Sequence, residues 1–125
     1  IPAIASGDVA GPDDAERVLR STGCAAIAIG RAALGNPWVF GEVLDGVPRP
    51  RPTLEETVDE LAAFAADARR ALGEGRVTGY MRKFYPWYLA GHDVPSSLVG
   101  ELVTTPTVDG ALARLRSVAA ASAAA

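Results

Sequence analysis

Ile1-Pro2-Ala3-Ile4-Ala5, closed by Ser6-Gly7-Asp8, and Ala25-Ala26-Ile27-Ala28-Ile29, closed by Gly30-Arg31-Ala32, decide how this chain begins. Both runs are short and continuously apolar, the pattern of parallel strands covered on both faces. A helical stretch lies between them. Pro12 suits its first turn, Asp13, Asp14 and Glu16 sit at its positive end, Ala15, Val18 and Leu19 form an inward stripe, and Gly23 stops it. Strand, helix, strand at this spacing is a βαβ unit, which implies a parallel pair with a right-handed crossover. Two parallel strands do not make a covered sheet, so the remaining strands are expected from sequence outside these residues. The run opens with neither an initiator methionine nor a charged leader, so residues 1–5 are not expected to be a signal peptide, and the chain reads as a piece of a longer protein.

Beyond the second strand, residues 32–44 read as helix interrupted around Asn36-Pro37. Gly46-Val47-Pro48-Arg49-Pro50-Arg51-Pro52 is extended, proline-rich linker. The composition then turns helical. Thr53 with Glu56 makes a capping box, and Val58, Leu61, Ala62, Ala65, Ala68 and Leu72 form a stripe ended by Gly73. A second helix is expected over 77–89, kinked by Pro86, and a third over 96–103. Thr105 and Pro106 are expected to open a fourth, with Val108, Leu112 and Leu115 inward and a tail fraying from Val118. The expected organisation is α/β plus all-α: residues 1–46, a linker over 47–52, and a small helical bundle over 53–125.

Of 125 residues, 12 are basic and 15 acidic, so the formal charge of -3 excludes a uniformly cationic coat but permits a local basic patch. One cysteine, Cys24, offers neither a disulfide framework nor a zinc cluster and points to a reducing, cytoplasmic setting. Cys24 follows a helix stop and precedes a strand, which predicts a buried packing residue. The lone His92 reads as a solvated loop residue, and no metal site is expected. No apolar run approaches a membrane span.

The two strand ends carry the first candidate chemistry. A phosphate needs close backbone approach, free N–H groups and a cation. Gly7 and Gly30 allow the first two, and Arg31 offers a bidentate guanidinium. In (β/α)8 barrels the loops after strands 7 and 8 commonly hold phosphate. Glycine after a strand is equally ordinary turn chemistry, and an arginine there is more often solvated or ion-paired than a ligand.

The second candidate lies among the helices. Arg69, Arg70, Arg76, Arg82 and Lys83 crowd into a short stretch against only Asp67 and Glu74. Tyr80, Phe84, Trp87 and Tyr88 share one face of a continuous helix and are expected in the core, leaving Arg82 and Lys83 exposed. Cations near aromatics suit folded RNA, although an ordinary solvated face has the same composition.

Three segments resemble the closing barrel segments of the tRNA-dihydrouridine synthases, in the bacterial branch once named after a nitrogen-regulation protein. They are residues 1–9 (Ile-Pro-Ala-Ile-Ala-Ser-Gly-Asp-Val), Thr22-Gly23-Cys24, and residues 29–40 (Ile-Gly-Arg-Ala-Ala-Leu-Gly-Asn-Pro-Trp-Val-Phe). Met81-Arg82-Lys83 with Trp87-Tyr88-Leu89 is similar to that branch's helical-domain motif. Ser6, Ala32 and Phe84 stand where asparagine, glycine and histidine are usual. The resemblance implies the last two strands of a (β/α)8 TIM barrel and a helical tRNA-binding domain. It implies Gly7, Gly30 and Arg31 on the phosphate of FMN, and Arg82 and Lys83 on RNA. The implied reaction is reduction of uridine to 5,6-dihydrouridine in tRNA with NADPH as reductant. The family's proton-donating cysteine belongs to an earlier barrel loop, so this chain by itself is expected to be inactive, with no catalytic residue. Two alternatives remain open from the residues: a non-catalytic helical RNA or protein interaction module with a vestigial barrel edge, and another FMN-dependent barrel oxidoreductase.

Overall fold

The computed structural model describes residues 1–125, which divide into two compact units, Ile1–Arg51 and Pro52–Ala125.

The first unit holds a two-stranded parallel sheet, β1 (Ile4–Gly7) and β2 (Ala26–Ile29), joined through α1 (Pro12–Thr22). The register pairs Ile4 with Ala26 and Gly7 with Ile29. β1 therefore sits later than the apolar run 1–5 suggests, and Ser6 and Gly7 belong to the strand. Pairing decides this: β2 supplies ladder partners only as far back as Ala25, whose N–H donates to the Ala3 carbonyl at 2.8 Å. α1 starts at Pro12 and ends on Gly23 in the left-handed conformation (φ 64°), where a side chain would be strained. Asp14 Oδ2 accepts from the Ala10 N–H at 3.0 Å and fastens the entry. Of the expected stripe, Ala15 is buried, Val18 is half-buried and Leu19 is exposed. Cys24 is half-buried, short of the full burial expected. Ile4 is 70% exposed, so the sheet faces are open among these residues.

After β2 the chain makes a single 3-10 turn, Arg31–Ala33, then α2 (Val39–Asp45). The interruption foreseen at Asn36-Pro37 is present, but the helix before it is only this one turn. Gly35 has φ 71° and reverses the chain there.

In the second unit α3 (Leu54–Leu72) opens on the capping box. Thr53 Oγ1 accepts from the Glu56 N–H at 3.2 Å, and Glu56 Oε2 accepts from the Thr53 N–H at 2.7 Å. Gly73 ends α3, and α4 (Glu74–Met81) begins at once. The helix expected over 77–89 is two helices, α4 and α5 (Tyr85–Leu89), with Pro86 in the first turn of α5. Proline has no N–H for the fourth residue back, and its ring crowds that carbonyl, so the ladder stops at Arg82. α6 (Leu98–Thr104) follows. α7 (Val108–Ala123) is capped by Thr107, whose Oγ1 accepts from the Gly110 N–H at 3.1 Å. Thr105 closes α6 instead of opening α7; its hydroxyl donates back to the Glu101 carbonyl at 2.7 Å. The tail does not fray at Val118, because Val118 and Ala119 are buried. α3 packs against α4, α5 and α7, and α5 against α6. Leu61, Val77, Met81, Tyr85, Leu98, Leu102 and Leu115 are within 1% of full burial.

His92 is half-buried rather than solvated. Its Nε2 lies 3.0 Å from the hydroxyl of fully buried Thr57, tying the segment after α5 to the first turn of α3.

Candidate functional site

At the C-terminal end of the sheet, the pairing of Gly7 with Ile29 sets Gly7 beside the Ile29–Gly30 link. Both glycines have negative φ, so neither is required by a left-handed backbone. The space beside both is open: a Cβ at either would meet nothing within 4 Å. The Arg31 and Ala32 N–H groups donate to no backbone carbonyl. Buried Val9, whose N–H donates to the Gly7 carbonyl at 2.9 Å, anchors the backbone just past the strand.

The Arg31 guanidinium spans the two strand ends. Its Nη2 donates to Asp8 Oδ1 at 2.5 Å, with both side chains more than four-fifths exposed. An exposed pair of this kind is worth about 0–1 kcal/mol, so another anion can compete for the guanidinium. Sequence reading passed over Asp8. Its signal was a carboxylate one residue past the first strand, matching an arginine two residues past the second. Cys24 precedes β2 and so stands at the opposite end of the sheet from these turns. Asn36-Pro37-Trp38 forms the half-buried turn into α2, with the Asn36 carbonyl accepting from the Val39 N–H at 3.4 Å.

The basic stretch of the second unit resolves into two groups. Arg69 is structural: its Nε lies 2.7 Å from Glu74 and its Nη2 2.9 Å from Asp109, tying the end of α3 to the starts of α4 and α7. The hydrogen bond to Asp109 is the main reason its pKa is raised further above the ordinary arginine value. Arg70 pairs with Asp67. Arg76, Arg82 and Lys83 make no ion pair with a carboxylate, unlike Arg69 and Arg70. Arg82 and Lys83 occupy the exposed break between α4 and α5.

The aromatics are not one core face. The break re-phases the chain, so Tyr85 and Tyr88 are buried, Tyr80 and Phe84 are half-buried, and Trp87 is exposed. Burial raises the Tyr85 phenol pKa and the nearby Arg82 charge offsets it in part; burial likewise raises that of Tyr88. Lys83 Nζ lies over the Tyr80 ring, 4.2 Å from its centroid, and 5.1 Å from that of Phe84. No cluster of three or more His, Cys, Asp or Glu side chains is assembled, and no helix is long and apolar enough to cross a membrane.

The family model described as dihydrouridine synthase (Dus) matches residues 1–124. The chain is 35% identical over 120 residues to tRNA-dihydrouridine synthase B of Xanthomonas axonopodis pv. citri, covering 93% of this chain and 36% of that protein. It is 40% identical over 96 residues to the protein of the same name from Xanthomonas campestris pv. campestris, covering 74% and 29%. A probable tRNA-dihydrouridine synthase of Mycobacterium tuberculosis is 34% identical over 113 residues, covering 87% and 29%. The chain thus spans about a third of the length of the curated relatives it matches.

Proposed function

The chain belongs to the dihydrouridine synthase family, and from that premise we propose that it is the C-terminal part of an enzyme that reduces uridine to 5,6-dihydrouridine in tRNA, with FMN as cofactor and NADPH as reductant. Residues 1–46 supply the last two strands of a (β/α)8 TIM barrel, 47–52 form the linker, and 53–125 form a helical tRNA-binding domain. The open faces of β1 and β2 support this, since parallel strands are normally covered on both sides.

The observation that carries the proposal is the register that sets Gly7 beside the end of β2, with the Arg31 guanidinium across both strand ends. The residues there fit a phosphate: open space beside both glycines, unused N–H donors at Arg31 and Ala32, and an exposed cation held only by Asp8. Gly7, Gly30 and Arg31 would hold the FMN phosphate. Bound FMN would deliver hydride to the C5=C6 bond of the uracil ring. Arg82 and Lys83 would hold tRNA phosphates while the target base leaves its stack. The proton donor lies on the rest of the barrel, so these residues bind and orient and do not catalyse.

The test compares FMN with riboflavin, which lacks the phosphate, by fluorescence quenching in the full-length protein. Arg31→Ala should weaken FMN about 10- to 100-fold, the range of a charged hydrogen-bond partner, and leave riboflavin unchanged. Equal losses for both flavins, or no loss, would remove Arg31 from the phosphate site.

A further inference from the structure

Trp87 is the one exposed large apolar side chain of the second unit, 39% accessible; every other such residue precedes Arg51. Its position follows from Pro86. Within the short α5, Tyr85, Tyr88 and Leu89 point inward, and at about 100° per residue position 87 falls on the opposite side. The indole is nevertheless braced. Its ring meets Phe84 edge-on at 5.5 Å and 77°, and Phe84 meets Phe64 edge-on at 4.8 Å and 87°. Such pairs fix ring orientation as well as adding burial.

The charge around it is equally specific. Lys83 lies over the Tyr80 and Phe84 rings of the same cluster, and neither it nor Arg82 is neutralised by a carboxylate. A held, solvent-facing aromatic beside such cations is the combination that binds unpaired nucleotides: the ring offers a π-face to a base of any sequence, and the cations meet the adjoining phosphates.

We propose that Trp87 is a base-stacking residue for an unpaired nucleotide of the RNA substrate, set beside the phosphate contacts of Arg82 and Lys83. The inference rests on the reading of Arg82 and Lys83 as RNA contacts, and its test separates the two. tRNA binding by the full-length protein is measured by filter retention over a salt series. Trp87→Ala and Trp87→Leu should each weaken binding about tenfold at every salt concentration, with the slope unchanged, because stacking releases no counterions. Trp87→Phe, which keeps a π-face, should stay within about threefold of the parent. The double variant Arg82→Ala, Lys83→Ala should weaken binding and flatten the slope by about two units, one for each phosphate that the parent's cations neutralise.

Trp87→Leu binding as tightly as the parent overturns the stacking role, because leucine keeps the bulk and loses only the ring. A lowered melting temperature for Trp87→Ala with unchanged tRNA affinity also overturns it, and assigns the indole to protein packing. An unchanged salt slope in the double variant overturns the RNA reading of Arg82 and Lys83, whatever the Trp87 variants do.

Discussion

The two units bury their apolar residues in opposite ways. Ile1–Arg51 buries three apolar side chains, Val9, Ala15 and Val39, and exposes seven large ones; Pro52–Ala125 buries sixteen and exposes only Trp87. Helices satisfy their backbone groups internally and need only partner stripes, which α3, α4, α5 and α7 supply to one another. A parallel strand needs neighbours on its edge and layers on both faces, and β1 and β2 have only each other and α1. What this teaches is where each part draws its stability: the second unit from its own residues, the first, on the reading proposed above, from strands beyond its own two.

The largest test of that contrast is to separate the parts. Residues 52–125 alone should show helical circular dichroism and a cooperative melt, whereas 1–51 alone should show neither. A cooperative transition in 1–51 would break the comparison. Next in size are core truncations in the 125-residue chain. Leu61→Ala or Leu115→Ala should cost about 2–5 kcal/mol in urea denaturation, and Ile4→Ala should change stability by less than about 0.5 kcal/mol. A smaller effect comes from the capping box, where Thr53→Ala should cost about 1 kcal/mol.

The smallest sharpens the helical side through pH. Glu101 has its carboxyl held below the usual value by the Arg114 guanidinium first and then by the Ser97 hydroxyl. A carboxylate whose pKa is lower in the folded state stabilises it above the unfolded value. That contribution is lost as pH falls through the depressed one. Acid titration of 52–125 should therefore lose stability below the ordinary carboxylate range, and Glu101→Gln should remove part of that dependence. A Glu101→Gln chain with the same pH profile would detach the α6–α7 pairing from this carboxylate.

The candidate sites were legible to different depths. Gly7, Gly30 and Arg31 stood out because strand ends, turns and a following cation are local in sequence. Asp8, which holds Arg31, did not, because its partner is 23 residues away and only the strand register brings them together. Among the helices, Arg69 and Arg82 look alike as sequence. One is tied to Glu74 and Asp109 and the other is not, a distinction made by where α7 begins. The aromatic face misled for a related reason. Helical periodicity assumes one continuous phase, and Pro86 resets it, exchanging Trp87 for Tyr85 in the core.

By itself the sequence determined the strand–helix–strand opening, the capping box at Thr53, the stop at Gly23 and the exposure of Arg82 and Lys83. These rest on side-chain chemistry acting over one or two turns. Tertiary structure decided the start of β1, the burial of Val118 and Ala119, the anchoring of His92 by Thr57, and which cations of the basic stretch reach a carboxylate. Each of those depends on residues distant along the chain that packing or pairing brings within a few ångströms.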